Sequence, residues 1–172
     1  MRYLFIILIS VFLFNCENFY VHRVSGLDIP DWKIYFRPSD LKIIDSIKND
    51  DIPTAQIKKI NFFVLNSITH DSDLTLRCSM PNITYSTCLG DCKDISLLIA
   101  AIFVQLTNDY SRLRLRGLDI KGSNIGHMAV YDTIDRKYYN LSGKEYVRRD
   151  GSYRVIRDYA FVEFLKIAYY IF

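Results

Sequence analysis

From Cys92 to Leu106 the chain reads CKDISLLIAAIFVQL. Ile95, Leu98, Ile102 and Leu106 recur at steps of three and four, the spacing of one helix face, and most residues between them are apolar as well. The run predicts a helix buried inside a core, and any fold open to this chain has to be built around it. Gly90 breaks the chain before the helix, and Asp91 is a good N-cap, which puts Cys92 in the first turn. A second cysteine, Cys88, stands just upstream. The pair suits a disulfide, part of a metal site, or a nucleophile with a structural neighbour.

A chain of 172 residues has room for one domain and one sizeable core. Hydrophobic residues make up 50% and charged residues 24%, an ordinary globular balance. The net charge of +3 is too small to point to nucleic acid, and no long basic run with interleaved aromatics appears, so nucleic acid is not an expected partner. The densest basic patch, RLRLR at Arg112 to Arg116, alternates strictly and reads as the solvated face of a strand.

The first residues stand apart from the fold. A single charge at Arg2 precedes an apolar or small stretch from Tyr3 to Phe14, short of the roughly 20 residues a spanning helix needs. Residues 1–15 therefore read as a secretory signal. LFNC, ending at Cys16, resembles a bacterial lipobox, in which the signal is cut before a cysteine that then carries lipid. This resemblance implies export to the bacterial cell envelope and attachment to membrane through Cys16; ordinary secretion and an uncleaved anchor are the other readings. Export allows disulfides to persist. With Cys16 lipidated, Cys78, Cys88 and Cys92 remain, and an odd number leaves one thiol unpaired.

Residues 16–37 read as a tether and lead-in, and 38–172 as a single domain. PSDLKIIDSIKND and PTAQIKKINFFVLNSIT each begin at a proline and carry apolar stripes, Leu41, Ile44, Ile47 and then Ile57, Ile60, Val64, Ile68, so two helices are expected. THDSDLTLRCSMPN reads as a polar loop. Beyond Asn108 the period becomes alternating: one or two strands around Leu113, Leu115 and Ile120, then GHMAVYD and KYYNLSG joined by the turn TIDR, then SYRVIR. DYAFVEFLKIAYYIF carries Phe161, Phe164, Leu165 and Ala168 on one side and closes the domain as a helix, with a strand as the other reading. Helices first and an antiparallel sheet after them make the fold class α+β.

A cysteine nucleophile needs a lowered thiol pKa or an adjacent base, and a group that orients that base. The helix N-terminus favours a thiolate at Cys92, while Asp91 and Asp94 oppose it, so a cationic partner is wanted. Of three histidines, His22 lies in the N-terminal segment and His70 in the polar loop. His127 opens a strand, where alternation sets it with Ala129 and Tyr131 on one face and Met128 and Val130 on the other.

On these residues the chain resembles the transglutaminase-like superfamily, and within it the bacterial transglutaminase-like cysteine proteases. INFFVLNSITHDSD is similar to the helix and loop ahead of the site. TYSTCLGDCKDISLLIAAIFVQL is similar to the nucleophile segment, with Thr-x₅-Gly-Asp-Cys-x-Asp leading into an aliphatic helix, and GHMAVYDTIDRKYYNLSG to the histidine hairpin. The resemblance implies a papain-like core with N-terminal helices packed on the sheet, Cys92 as nucleophile, His127 as general base and acid, and Asp94 as structural support. The family's third member, an aspartate across the hairpin, falls on Ser142, and centring the turn on Ile134-Asp135 also sets residue 142 opposite His127. A hydroxyl helps hold the ring's tautomer without a carboxylate's charge, and Asn140 is a second substitute; a tenfold to thousandfold slower enzyme is the expectation, by analogy with neutralised triads.

Cys88 departs from the family pattern. A Cys78–Cys88 bridge fits the odd count and is favoured over a Cys88–Cys92 bridge, which would block the nucleophile, and over zinc on Cys88, Cys92 and His127. The implied chemistry is acyl transfer through a thioester on a protein or peptide amide, with hydrolysis favoured over cross-linking and without metal or cofactor. The rival is a surface lipoprotein that keeps the fold as a binding module without activity. Substrate identity and oligomeric state carry no readable signal.

Overall fold

The computed structural model describes residues 31–71, 78–120, 126–141 and 153–171. The expected signal at residues 1–15, Cys16, His22 and Ser142 lie outside the described residues. Helices α1 (Leu41–Lys48) and α2 (Pro53–Ser67) are followed by the short strand β1 (Thr69–His70), helix α3 (Pro81–Thr87), the short strand β2 (Leu89–Gly90) and the long helix α4 (Cys92–Thr107). Strands β3 (Leu113–Ile120), β4 (Gly126–Asp132), β5 (Lys137–Tyr139) and β6 (Tyr153–Ala160) come next, and helix α5 (Phe161–Ile171) closes the chain. The sheet order is β5-β4-β3-β6, antiparallel throughout, with a register shift opposite Gly117 and Leu118. β1 and β2 form a separate parallel pair, Thr69 opposite Leu89 and His70 opposite Gly90.

Helix α4 is the centre, as its composition demands: every residue from Asp94 to Val104 is buried. It packs on β4 and β3 with one side and against α2, α3 and α5 with the others. Ile57, Ile60 and Val64 of α2, Leu113, Leu115 and Val130 of the sheet and Phe161, Phe164 and Leu165 of α5 join it in one core. Deleting any of these large side chains to alanine costs about 2–5 kcal/mol. The opposite face of the sheet holds a smaller cluster of Leu118, Ala129, Tyr131, Tyr138 and Leu141. The alternation read from GHMAVYD is thus the observed one, with Met128 and Val130 toward α4 and Ala129 and Tyr131 away from it.

Several expectations change. Packing begins ahead of Pro38: Ile34 is 2% exposed, Trp32 meets the Phe161 ring edge-on at 5.2 Å, and the Ile34 N–H and carbonyl both bond the Gln105 amide at 2.9 Å. A glutamine on α4 stands in for a strand neighbour there, so Ile34 joins the core with Trp32 and Phe36 packed against it, while Asp31, Lys33 and Tyr35 stay exposed. The segment after α2 is not simply loop either, since it contains β1 and ends at α3, started by Pro81 at N1 and stopped by Cys88 with φ 57°. LRLRGLDI is one strand, preceded by Arg112, and all three arginines are paired, with Arg112 buried and Arg114 partly exposed. Arg112 is 7% exposed and bonds Asp132 at 2.9 Å, while Arg114 and Arg116 share Asp158 at 2.7 and 3.3 Å. Strand β5 stops at Tyr139, short of the LSG expected to continue it.

The three described cysteines are free thiols, which overturns the Cys78–Cys88 bridge. Cys78 is buried in the main core, whereas the Cys88 sulfur accepts a hydrogen bond from Arg37 Nη1 at 3.0 Å. The two side chains are committed to different surroundings.

Candidate active site

The Thr-x₅-Gly-Asp-Cys-x-Asp pattern is a helix-start device. Asp91 is the N-cap of α4, and its Oδ1 accepts the N–H groups of Lys93 at 2.7 Å and Asp94 at 3.2 Å. Asp94 answers by accepting the Asp91 N–H at 3.0 Å, which completes a capping box, and its other oxygen accepts the Ser79 N–H at 2.7 Å. A Cβ on Gly90 would lie 2.8 Å from Asp94 Cβ and 3.0 Å from Thr84 Cγ2, so the position admits only glycine without displacing both neighbours. Cys92 is the first helical residue. The cap takes the Lys93 and Asp94 N–H groups and the Asp91 carbonyl takes that of Ile95, which leaves the Cys92 N–H outside the cap.

Strand β4 comes to this helix start edge-on. Val130 pairs with Tyr139 of β5, so Met128, two residues away, points its N–H and carbonyl to the same side, beyond the end of β5. Helix α4 fills the gap. The Met128 N–H donates to the Cys92 sulfur, and the Met128 carbonyl accepts from Ser96 Oγ at 2.9 Å. His127, the preceding residue, is thereby held beside the start of α4.

The His127 ring is oriented by main chain. Nε2 is hydrogen-bonded to the Asn140 carbonyl, and because a carbonyl can only accept, Nε2 carries the proton and Nδ1 its lone pair. The Asn140 side chain turns the other way, its Nδ2 donating to the Cys92 carbonyl at 2.9 Å and to Ser96 Oγ at 2.8 Å, with the Met128 carbonyl at 3.3 Å. Asn140 thus ties the end of β5 to the nucleophile helix and the histidine strand at once. Ser142, the expected third member, lies outside the described residues.

Burial pushes the Cys92 thiol above its ordinary value of 9.0; the Met128 N–H opposes this and loses. Burial also holds His127 below its ordinary value of 6.5, against the Asn140 hydrogen bond; a nearby His70 charge lowers it further and Asp91 raises it. At pH 7 both groups are therefore neutral, and the helix start does not by itself deliver a thiolate. Asp94 is likewise raised by burial, with its two accepted N–H bonds opposing.

Cys92 and His127 are linked through Asn140, whose amide bonds the Cys92 carbonyl and whose own carbonyl bonds Nε2, while Asp94 closes the cap beneath Cys92. Sequence reasoning did not find Met128, Ser96 and Asn61, whose contributions are a main-chain N–H and two small polar side chains. The available signals were Asn61 of α2 and Ser96 of α4, each a polar residue inside an apolar helical run.

No family model matches the chain, and no curated protein does. Solved structures do match: Legionella pneumophila LapG superposes with a TM-score of 0.58 at 18% identity, covering 69% of this chain and 70% of that one. Its EGTA-treated form gives 0.59 at 18% over 69% and 68%, and its calcium-bound form 0.57 at 17% over 81% and 83%. The shared object is the fold, a transglutaminase-like, papain-like arrangement of helices on an antiparallel sheet.

Proposed function

We propose that this chain is a cysteine peptidase or acyltransferase that acts on a protein or peptide amide through a thioester at Cys92. The observation that carries the reading is the junction of Cys92 at a capped helix start, with the Met128 N–H on its sulfur, and His127 held with Nδ1 unprotonated. Because thiol and imidazole rest neutral, the reaction runs by general-base catalysis. His127 Nδ1 takes the thiol proton as Sγ forms a bond to the amide carbon, and the resulting oxyanion meets the Cys92 N–H left outside the cap. Collapse breaks the C–N bond, with the His127 proton passing to the leaving amine. Water then adds to the thioester carbon, giving its proton to His127, and the C–S bond breaks as that proton returns to sulfur. Another amine in place of water would make the step a transfer. Hydrolysis is the favoured outcome.

Ser142 keeps its place in this proposal as the sequence-derived partner across the hairpin. Export and attachment to a bacterial envelope membrane through lipid on Cys16 rest on the signal-like N-terminus and LFNC. One of the superposed LapG structures carries calcium; among the described residues here no group of three or more His, Cys, Asp or Glu side chains is arranged to hold a metal ion, and no step above passes through one.

A second reading, a binding module that keeps the fold without turnover, is favoured by two observations: the described partner of Nε2 is a carbonyl rather than a carboxylate, and burial raises the thiol. Incubation of the full chain with an unfolded protein such as reduced casein, followed by mass spectrometry, separates the two. Cleavage that disappears in both Cys92→Ala and His127→Ala supports the enzyme; intact casein at every pH from 5 to 9 supports the module.

A further inference from the structure

The Asn140 carbonyl has to be aimed at His127, and a residue on another element meets the same peptide turn from behind. Asn140 adopts φ 60°, in the left-handed region, where asparagine is among the few residues other than glycine that are enriched. Its N–H donates to Oδ1 of Asn61 at 3.1 Å while its carbonyl accepts from His127 Nε2. Asn61 belongs to α2, is 1% exposed, and interrupts the apolar stripe of Ile57, Ile60 and Val64. An amide buried that deeply costs free energy unless bonded, and its described bond runs to the residue that orients the imidazole.

We propose that Asn61 is a positioning residue for this site. By holding the Asn140 N–H it fixes the left-handed turn that points the Asn140 carbonyl at Nε2, so α2 selects the histidine tautomer whose Nδ1 can take the thiol proton. A main-chain carbonyl held by a buried amide then does part of the orienting work of a triad carboxylate. The Asn140 side chain has a separate task, joining Cys92, Ser96 and Met128. The kinetic consequence rests on the acyl-transfer reading above; the tautomer does not.

The test is long-range ¹H–¹⁵N NMR of the histidine rings in the full chain at pH 7.5, with His22 and His70 assigned by their glutamine variants. The unsubstituted protein shows His127 as the Nε2–H form alone. Asn61→Ala gives a mixture of tautomers and lowers kcat about ten- to a hundredfold with KM nearly unchanged, the cost of misplacing a catalytic group by about 1 Å. Asn61→Asp keeps the acceptor oxygen and restores both the tautomer and most of kcat. Asn140→Gly tolerates the positive φ and keeps the Asn61 bond to the main chain, so it retains the Nε2–H form.

A folded Asn61→Ala that keeps the pure Nε2–H form overturns the proposal. So does loss of that form in Asn140→Gly, which decides the matter even where Asn61→Ala does not fold. Recording the same spectra in a Cys92→Ala background separates this result from turnover: absence of any cleavage defeats the acyl-transfer reading and leaves the tautomer result standing.

Discussion

The β4–β5 hairpin is locked at both ends, by opposite means. At the turn, the buried guanidinium of Arg112 bonds Asp132 at 2.9 Å and Asp135 at 3.2 Å, and its Nη2 also meets Thr54 Oγ1 at 3.0 Å, so strand, turn and the start of α2 are pinned by full charges. Asp132 Oδ1 accepts the N–H groups of Ile134 and Asp135 in the same turn. At the other end Asn61, Asn140, Ser96 and Met128 hold the hairpin with neutral groups only. A fixed ion pair suits a place where nothing has to change. At the site end neutral donors and a carbonyl set the hairpin's geometry, and the charge that reaches both Cys92 and His127 comes from the helix cap, where Asp91 pairs with Lys93.

Breaking the neutral end has the largest effect on function. Cys92→Ala or His127→Ala is expected to lower casein cleavage by at least about a thousandfold, while the thermal midpoint moves little. Breaking the charged end acts on stability: Asp132→Asn leaves Arg112 buried without its main partner and costs about 3–5 kcal/mol, read from urea unfolding. Replacing Arg112 and Asp132 together by methionine and leucine should recover most of that loss.

Smaller effects sharpen the contrast. Gly90→Ala forces a Cβ against Asp94 and Thr84, and loses about 1–3 kcal/mol together with activity, because the cap that places Cys92 has to shift. Ser142→Asp sets a carboxylate where the sequence places the third member and should raise kcat/KM about tenfold; an unchanged value would mean that His127 gains nothing from charge across the hairpin.

The last prediction concerns pH. His127 is held below 6.5 in the folded chain, so between 6.5 and that lower value the unfolded chain binds the proton first. Stability contributed by the neutral ring is complete above 6.5 and is lost as pH falls toward the folded value. His127→Gln should flatten this part of the acid limb. For turnover, the acid limb of kcat/KM should lie below 6.5 for the same reason, and the raised thiol keeps the neutral pair intact past pH 9.0.

How much of this was legible in the sequence follows the range of the interactions. Asp91 as N-cap, Cys92 in the first turn, the buried α4 and the hairpin register that pairs Val130 with Tyr139 depend on neighbours a few residues away or across one turn, and side-chain type encodes them. The capping box also accounts for Asp94, whose role was expected to be structural support. Arg112 went the other way: strict alternation with leucine is equally compatible with water and with a buried aspartate, and only the fold brings Asp132 to it.

By itself the sequence determined the central helix, its cap and the strand alternation, because each is written in local periodicity and residue identity; the nomination of Cys92 and His127 is what the family resemblance adds to their positions. Tertiary structure alone decided that the thiols stay apart, that Ile34 is core, and that Nε2 meets the Asn140 carbonyl while the Met128 N–H meets sulfur. The physical reason is common to the last two. Every residue but proline has the same main-chain donor and acceptor, so no residue type marks the one that will be aimed; what marks it is the end of β5, the left-handed turn at Asn140 and the buried amide of Asn61 behind it.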